Sequence, residues 1–103
     1  MAMTTAVEQH SEFTLFAFDL GEDPATPDML KAVALPGQTE APRQTGLVIS
    51  GRGPVWLFAR LVHLAHDFAW VATHDPRLGG AVVVERHVPS APEVGSVVPF
   101  ENR

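Results

Sequence analysis

Residues 46–73 read GLVISGRGPVWLFARLVHLAHDFAWVAT, and the fold is decided there. Residues 46–50 (GLVIS) are a short apolar run stopped by Gly51-Arg52-Gly53, and Pro54 follows where the first turn of a helix tolerates proline. The pattern predicts a helix over residues 54–66. Arg60, His63 and His66 are its polar positions, three apart, and the rest is so apolar that cover on most sides is expected. Residues 68–73 (FAWVAT) have strand composition. Strand, glycine-rich loop, helix and strand make a βαβ unit with a right-handed crossover, so its two strands run parallel.

Outward from this unit, residues 75–80 (DPRLGG) carry proline and glycine in turn-forming places, and residues 81–88 return as an antiparallel strand. A last short strand is expected near residues 94–98. On the other side, residues 13–20 (FTLFAFDL) have apolar side chains on both faces, as a buried strand would. Thr26-Pro27-Asp28 then looks like the start of a short helix ending near residue 33. Residues 36–45 read as a surface loop and residues 1–10 as disordered. The expected fold class is α/β: one small domain, a mixed β-sheet containing the βαβ unit, and helices packed on the sheet. Its topology places residues 50–53 and 75–77 at one edge, with His66 and His87 at the opposite edge.

At 103 residues and 46% hydrophobic content, the chain can bury a core without metals or disulfides. The absence of cysteine removes disulfide frameworks, thiolate nucleophiles and cysteine-type structural zinc, and suits a reducing cytoplasm, the expected location. Residues 1–10 lack the charge and apolar run of a signal peptide, and the most apolar segment, residues 55–65, is too short to span a bilayer. A formal net charge of −5 argues against long nucleic acid, DNA above all, as a partner. Six of the seven basic residues are arginine, whose planar fork suits a compact phosphate ligand.

Ser50-Gly51-Arg52-Gly53 lies where α/β sheets collect ligands, at a strand's carboxyl end, and a helix N-terminus there offers unpaired N–H groups to an anion. The competing local reading is a tight turn with a solvated Arg52. His63 and His66 share a helix face and suit general acid–base work, or metal ligation together with His87; a cation favoured by the helix C-terminus is the plainer alternative. Asp75 suits metal binding or the fixing of Arg77, although Asp opening such a turn commonly caps its own backbone. Arg77 gains nothing in the turn itself. Trp56 and Trp70 read as core, His10 and His74 as surface.

The stretch from Gly46 to His87, with the trailing VGSVVP, resembles the small CRISPR-associated ring nucleases of the Csx-three type. The resemblance covers residues 46–99, and SGRGP, the helix-ending histidine and DPRLG at these spacings are together far more specific than any one piece. The N-terminal part agrees only in pattern, and His74 stands where the family pattern has tyrosine. The resemblance implies a reduced CARF, Rossmann-like fold and cleavage of cyclic tetra-adenylate in a manganese-dependent reaction, with magnesium as the other candidate ion. It implies ligand contacts from Ser50, Gly51, Arg52 and Gly53, continuing to Pro54, and catalysis by His66 with Asp75 and Arg77. His63, His66 and His87 become the candidate metal ligands. Sensing without cleavage and manganese-dependent trimming of short RNA are the alternative activities.

A helix over residues 54–66 is roughly 18–20 Å long at ~1.5 Å per residue, so the loop and His66 cannot grip one phosphate. The expected assembly is a homodimer that stacks into a tetramer or filament, the ligand held between two dimers.

Overall fold

The computed structural model describes residues 3–22, 24–35 and 45–100. The strands are β1 (Thr4–Gln9), β2 (Phe13–Asp19), β3 (Gly46–Gly51), β4 (Trp70–Asp75), β5 (Gly80–Arg86) and β6 (Val97–Pro99). The α-helix α1 (Val55–Leu64) joins β3 to β4, and 3-10 turns occupy Pro27–Lys31 and Pro76–Leu78. All six strands form one sheet in chain order. β2, β3 and β4 are parallel, and the pairs β1–β2, β4–β5 and β5–β6 are antiparallel. The chain is thus a small α/β domain with a mixed sheet and a βαβ unit, as the sequence implies.

Alternation along the strands sorts side chains onto two faces. Phe16, Phe18, Leu47, Ile49 and Val71 face α1, where Leu57, Leu61 and Ala65, spaced four apart, meet them and are fully buried. Met29, Leu30 and Val33 of the first crossover pack on the same face. Two connections of one hand between strands laid down in one direction must share a face, which accounts for this arrangement. The other face carries Phe13, Leu15, Val48, Trp70, Ala72, Ala81 and Val83, closed by Ala91 and Phe100. Arg86 donates to the carbonyls of Pro89 and Ala91, pinning the segment that lies over this second core.

Several expectations need correction. Residues 1–10 are not disordered throughout: Thr4–Gln9 pairs along β2 as an edge strand, its residues all exposed. A strand with no buried face carries no apolar alternation to read. The helix begins at Val55 with Pro54 as its N-cap, and ends at Leu64 with Ala65 as C-cap, so His66 lies in the turn beyond it. Leu57 and Leu61 are buried and Trp56, Phe58, Val62 and Leu64 pack against the core, while Val55 at the helix start is 83% exposed. The short helix expected over residues 26–33 is a single 3-10 turn whose Thr26 makes no side-chain cap. Of the surface loop expected over residues 36–45, residues 36–44 lie outside the described residues.

Candidate functional site

The carboxyl ends of three parallel strands surround a cavity of about 490 Å³. Its walls come from the end of β2 (Asp19 with Gly21), the end of β3 (Ser50, Gly51 and Arg52) and the end of β4 (His74 with Pro76). Gly51 sits at φ +152°, and a Cβ there would meet the Phe18 carbonyl and ring, so the loop's path requires glycine. Pro54 caps α1 without a side-chain hydrogen bond, and its carbonyl accepts from the Leu57 N–H at 3.1 Å. Arg52 and Gly53 are exposed, and the Arg52 guanidinium makes no hydrogen bond or ion pair among the described residues.

Ser50 is only 3% exposed, and its Oγ lies 3.0 Å from His74 Nδ1. His74, expected at the surface, is instead half-buried in this wall, its ring edge-on to Phe100 at 4.8 Å. Asp19 is tied back by accepting from the Gly21 N–H at 2.8 Å.

Asp75 and Arg77 lie at the same sheet edge. Asp75 caps its turn, accepting from the Arg77 backbone N–H at 3.0 Å, and also accepts from Arg77 Nε at 3.3 Å and Nη2 at 3.2 Å. The Arg77 guanidinium, with its backbone N–H second, holds the Asp75 carboxyl below the ordinary carboxylate range, and Asp75 in turn pushes Arg77 up. The two alternatives for Asp75, cap and arginine partner, therefore hold together. Arg77 does gain a contact in the turn, yet its side chain stays 88% exposed and available to a ligand.

His66 lies beyond the far end of α1, a helix of ten residues and so about 15 Å long. Its Nδ1 is 3.3 Å from the His63 carbonyl, which can only accept, so Nδ1 is the donor in that contact. Nε2 is 3.5 Å from Asp67 Oδ1. Asp67 is a residue that motif reading passes over, although its place directly after His66 is the signal that would have found it.

Among the described residues the three-histidine metal set is not assembled. His63 and His66 have ring centroids 6.4 Å apart. His87 is engaged elsewhere: Nδ1 lies 2.7 Å from the Phe68 carbonyl and Nε2 lies 2.9 Å from Glu85. Among the described residues no three histidine or carboxylate side chains converge as a metal ion would need. The described residues thus offer no preformed three-ligand centre for manganese or magnesium.

No helix among the described residues is long and apolar enough to cross a membrane. Residues 19–99 match the family described as CRISPR-associated protein (Cas_csx3). An uncharacterized protein of Aquifex aeolicus (strain VF5) is 40% identical over 93 residues, covering 89% of this chain and 82% of that protein. The match takes in Asp19, Ser50 to Arg52 and His74 of the cavity wall and the turn that carries His66, and this chain belongs to the Csx3 family of CRISPR-associated proteins.

Proposed function

We propose that the chain is a ring nuclease: it binds cyclic tetra-adenylate at the cavity beside Ser50–Gly53 and opens the ring to linear products, switching off CRISPR signalling. The observation that supports binding is the cavity itself, where Arg52, uncommitted among the described residues, stands with Ser50 and His74 at the carboxyl ends of three parallel strands. A cyclic nucleotide ring presents several phosphates in a small volume, which suits a few arginines on a chain of net charge −5.

In the reaction a ribose 2′-hydroxyl attacks the adjacent phosphorus in line. The P–O5′ bond breaks, leaving a 2′,3′-cyclic phosphate and a 5′-hydroxyl that takes its proton from water. His66 Nε2 removes the 2′-hydroxyl proton, and the Asp67 carboxylate stands beside the nitrogen where that proton arrives. Arg52 and Arg77 offset charge developing on the phosphoryl oxygens, Asp75 holding Arg77 in place.

These groups cannot all belong to one subunit. About 15 Å of helix separates the cradle from His66, so the loops of one dimer hold the ring while a second dimer supplies His66. Tetramers, or filaments built by continued stacking, are the working form.

The test is to incubate the protein with cyclic tetra-adenylate and, separately, with a tailed RNA, each with and without manganese, and to identify the products. Linear oligoadenylate from the ring supports the proposal. An intact but bound ring would make the protein a sensor, and shortened RNA with an intact ring would make it a trimming nuclease.

A further inference from the structure

We infer that the polar contact to the ligand at the end of β3 is made by His74, with Ser50 acting as its anchor; this rests on the reading of the cavity as a nucleotide phosphate site. Ser50 is 3% exposed, and among the described residues its side-chain partner is His74 Nδ1 at 3.0 Å. A hydroxyl so placed has little surface to offer a ligand. The imidazole beside it lines the cavity, and its Nε2 has no hydrogen-bond partner among the described residues.

The ring is held from two directions. Ser50 fixes Nδ1, and Phe100, 7% exposed, stands edge-on to the ring with planes at 76°. When the Ser50 hydroxyl donates to Nδ1, the ring's proton must sit on Nε2, which makes that nitrogen a donor. A phosphate oxygen only accepts, so an anionic ligand selects this arrangement over the reverse, in which Nδ1–H donates to Ser50 and Nε2 accepts. Around the same cavity Arg52 stands on the neighbouring strand end as a cation for a phosphate, and the carboxylate in the wall, Asp19, accepts from the Gly21 N–H. Ser50 is thus a positioning residue, and His74 the group that meets the ligand.

The experiment is calorimetric binding of cyclic tetra-adenylate to the full chain, with two isosteric variants. His74→Asn keeps an amide at the Nδ1 position and loses Nε2, whereas His74→Gln places an amide near Nε2. The inference expects His74→Asn to weaken binding about fivefold or more and His74→Gln to stay within about twofold of wild type. Ser50→Ala should weaken binding in the wild-type background, yet cost no more than about twofold further in His74→Asn, because both changes remove one contact. Wild-type affinity in His74→Asn with a loss in His74→Gln would overturn the inference, since the imidazole would then serve only to hold Ser50. Multiplying losses in the double variant would overturn it too, as two independent contacts. Arg52→Ala separates the two levels: unchanged affinity there removes the cavity reading itself, whatever His74 does.

Discussion

Gly51→Ala places a known cost on the loop at the centre of the site. At φ +152° an alanine is strained by roughly 1–3 kcal/mol. Its Cβ would also lie 2.7 Å from the Phe18 carbonyl oxygen and 2.8 Å from the Phe18 ring. The carbonyl belongs to β2 and cannot swing aside, and the ring is 5% exposed and packed edge-on against Phe58 at 5.3 Å. Overpacking of this kind adds about 1–3 kcal/mol, giving roughly 2–6 kcal/mol in all. Over 103 residues the unfolding entropy is about 0.2 kcal/mol per degree, so the melting temperature should fall by about 10–30 °C. Gly79→Ala is the internal control. Gly79 has φ +68° but nothing within 4 Å of its Cβ position, so only backbone strain of about 1–2 kcal/mol remains, or about 5–10 °C. Differential scanning calorimetry on both variants decides: if Gly51→Ala melts no lower than Gly79→Ala, the close approach of the loop to Phe18 is wrong.

Other outcomes follow from the same geometry. Leu57→Ala, at a fully buried position between α1 and the sheet, should lower stability by about 2–5 kcal/mol in urea unfolding with the m-value unchanged. Asp75→Asn should cost stability at neutral pH and progressively less in acid. A carboxyl whose pKa is lowered by folding stabilises above its unfolded value of 3.8, and that stabilisation disappears as pH falls through the folded value; paired melts from pH 7 to pH 2 read the difference. His66→Ala should reduce single-turnover cleavage by about 10²- to 10⁴-fold while binding of cyclic tetra-adenylate stays at the wild-type value, and Asp67→Asn should act in the same direction to a smaller extent.

The middle of the fold was legible because its signals are local and strong. An apolar run, two glycines, a proline and ten helical residues leave few other readings, and the parallel pairing of β3 with β4 follows from handedness. β1 escaped because Thr4–Gln9 buries nothing and is defined only by its pairing with β2. The site was half visible. Ser50 to Gly53 could be placed from the strand-to-helix turn, and Asp75 with Arg77 from the next one. His74 could not be dismissed once register is known: it shares a sheet face with Trp70 and Ala72 by alternation, and the pairing of Ile49 with Thr73 puts the next residues, Ser50 and His74, side by side. Asp19 enters the wall only because β2 lies beside β3, a long-range choice that no spacing in the sequence encodes. The expected link of His87 to His63 and His66 failed for a related reason: sharing a sheet edge brings residues to one side of the molecule, whereas the contacts of His87 are set by the Phe68 carbonyl and by Glu85 on the strand just before it.

The proposed reaction needs the cradle and the base to come from different molecules, and mixing two dead variants measures this directly. Arg52→Ala and His66→Ala are each expected to be inactive on cyclic tetra-adenylate. In an equal mixture, dimers pairing at random unite an intact cradle with an intact His66 in one ordered combination of four, so activity should return to about a quarter of wild type and fall on dilution. A mixture no more active than its components, or cleavage per subunit that does not change with dilution, would contradict it.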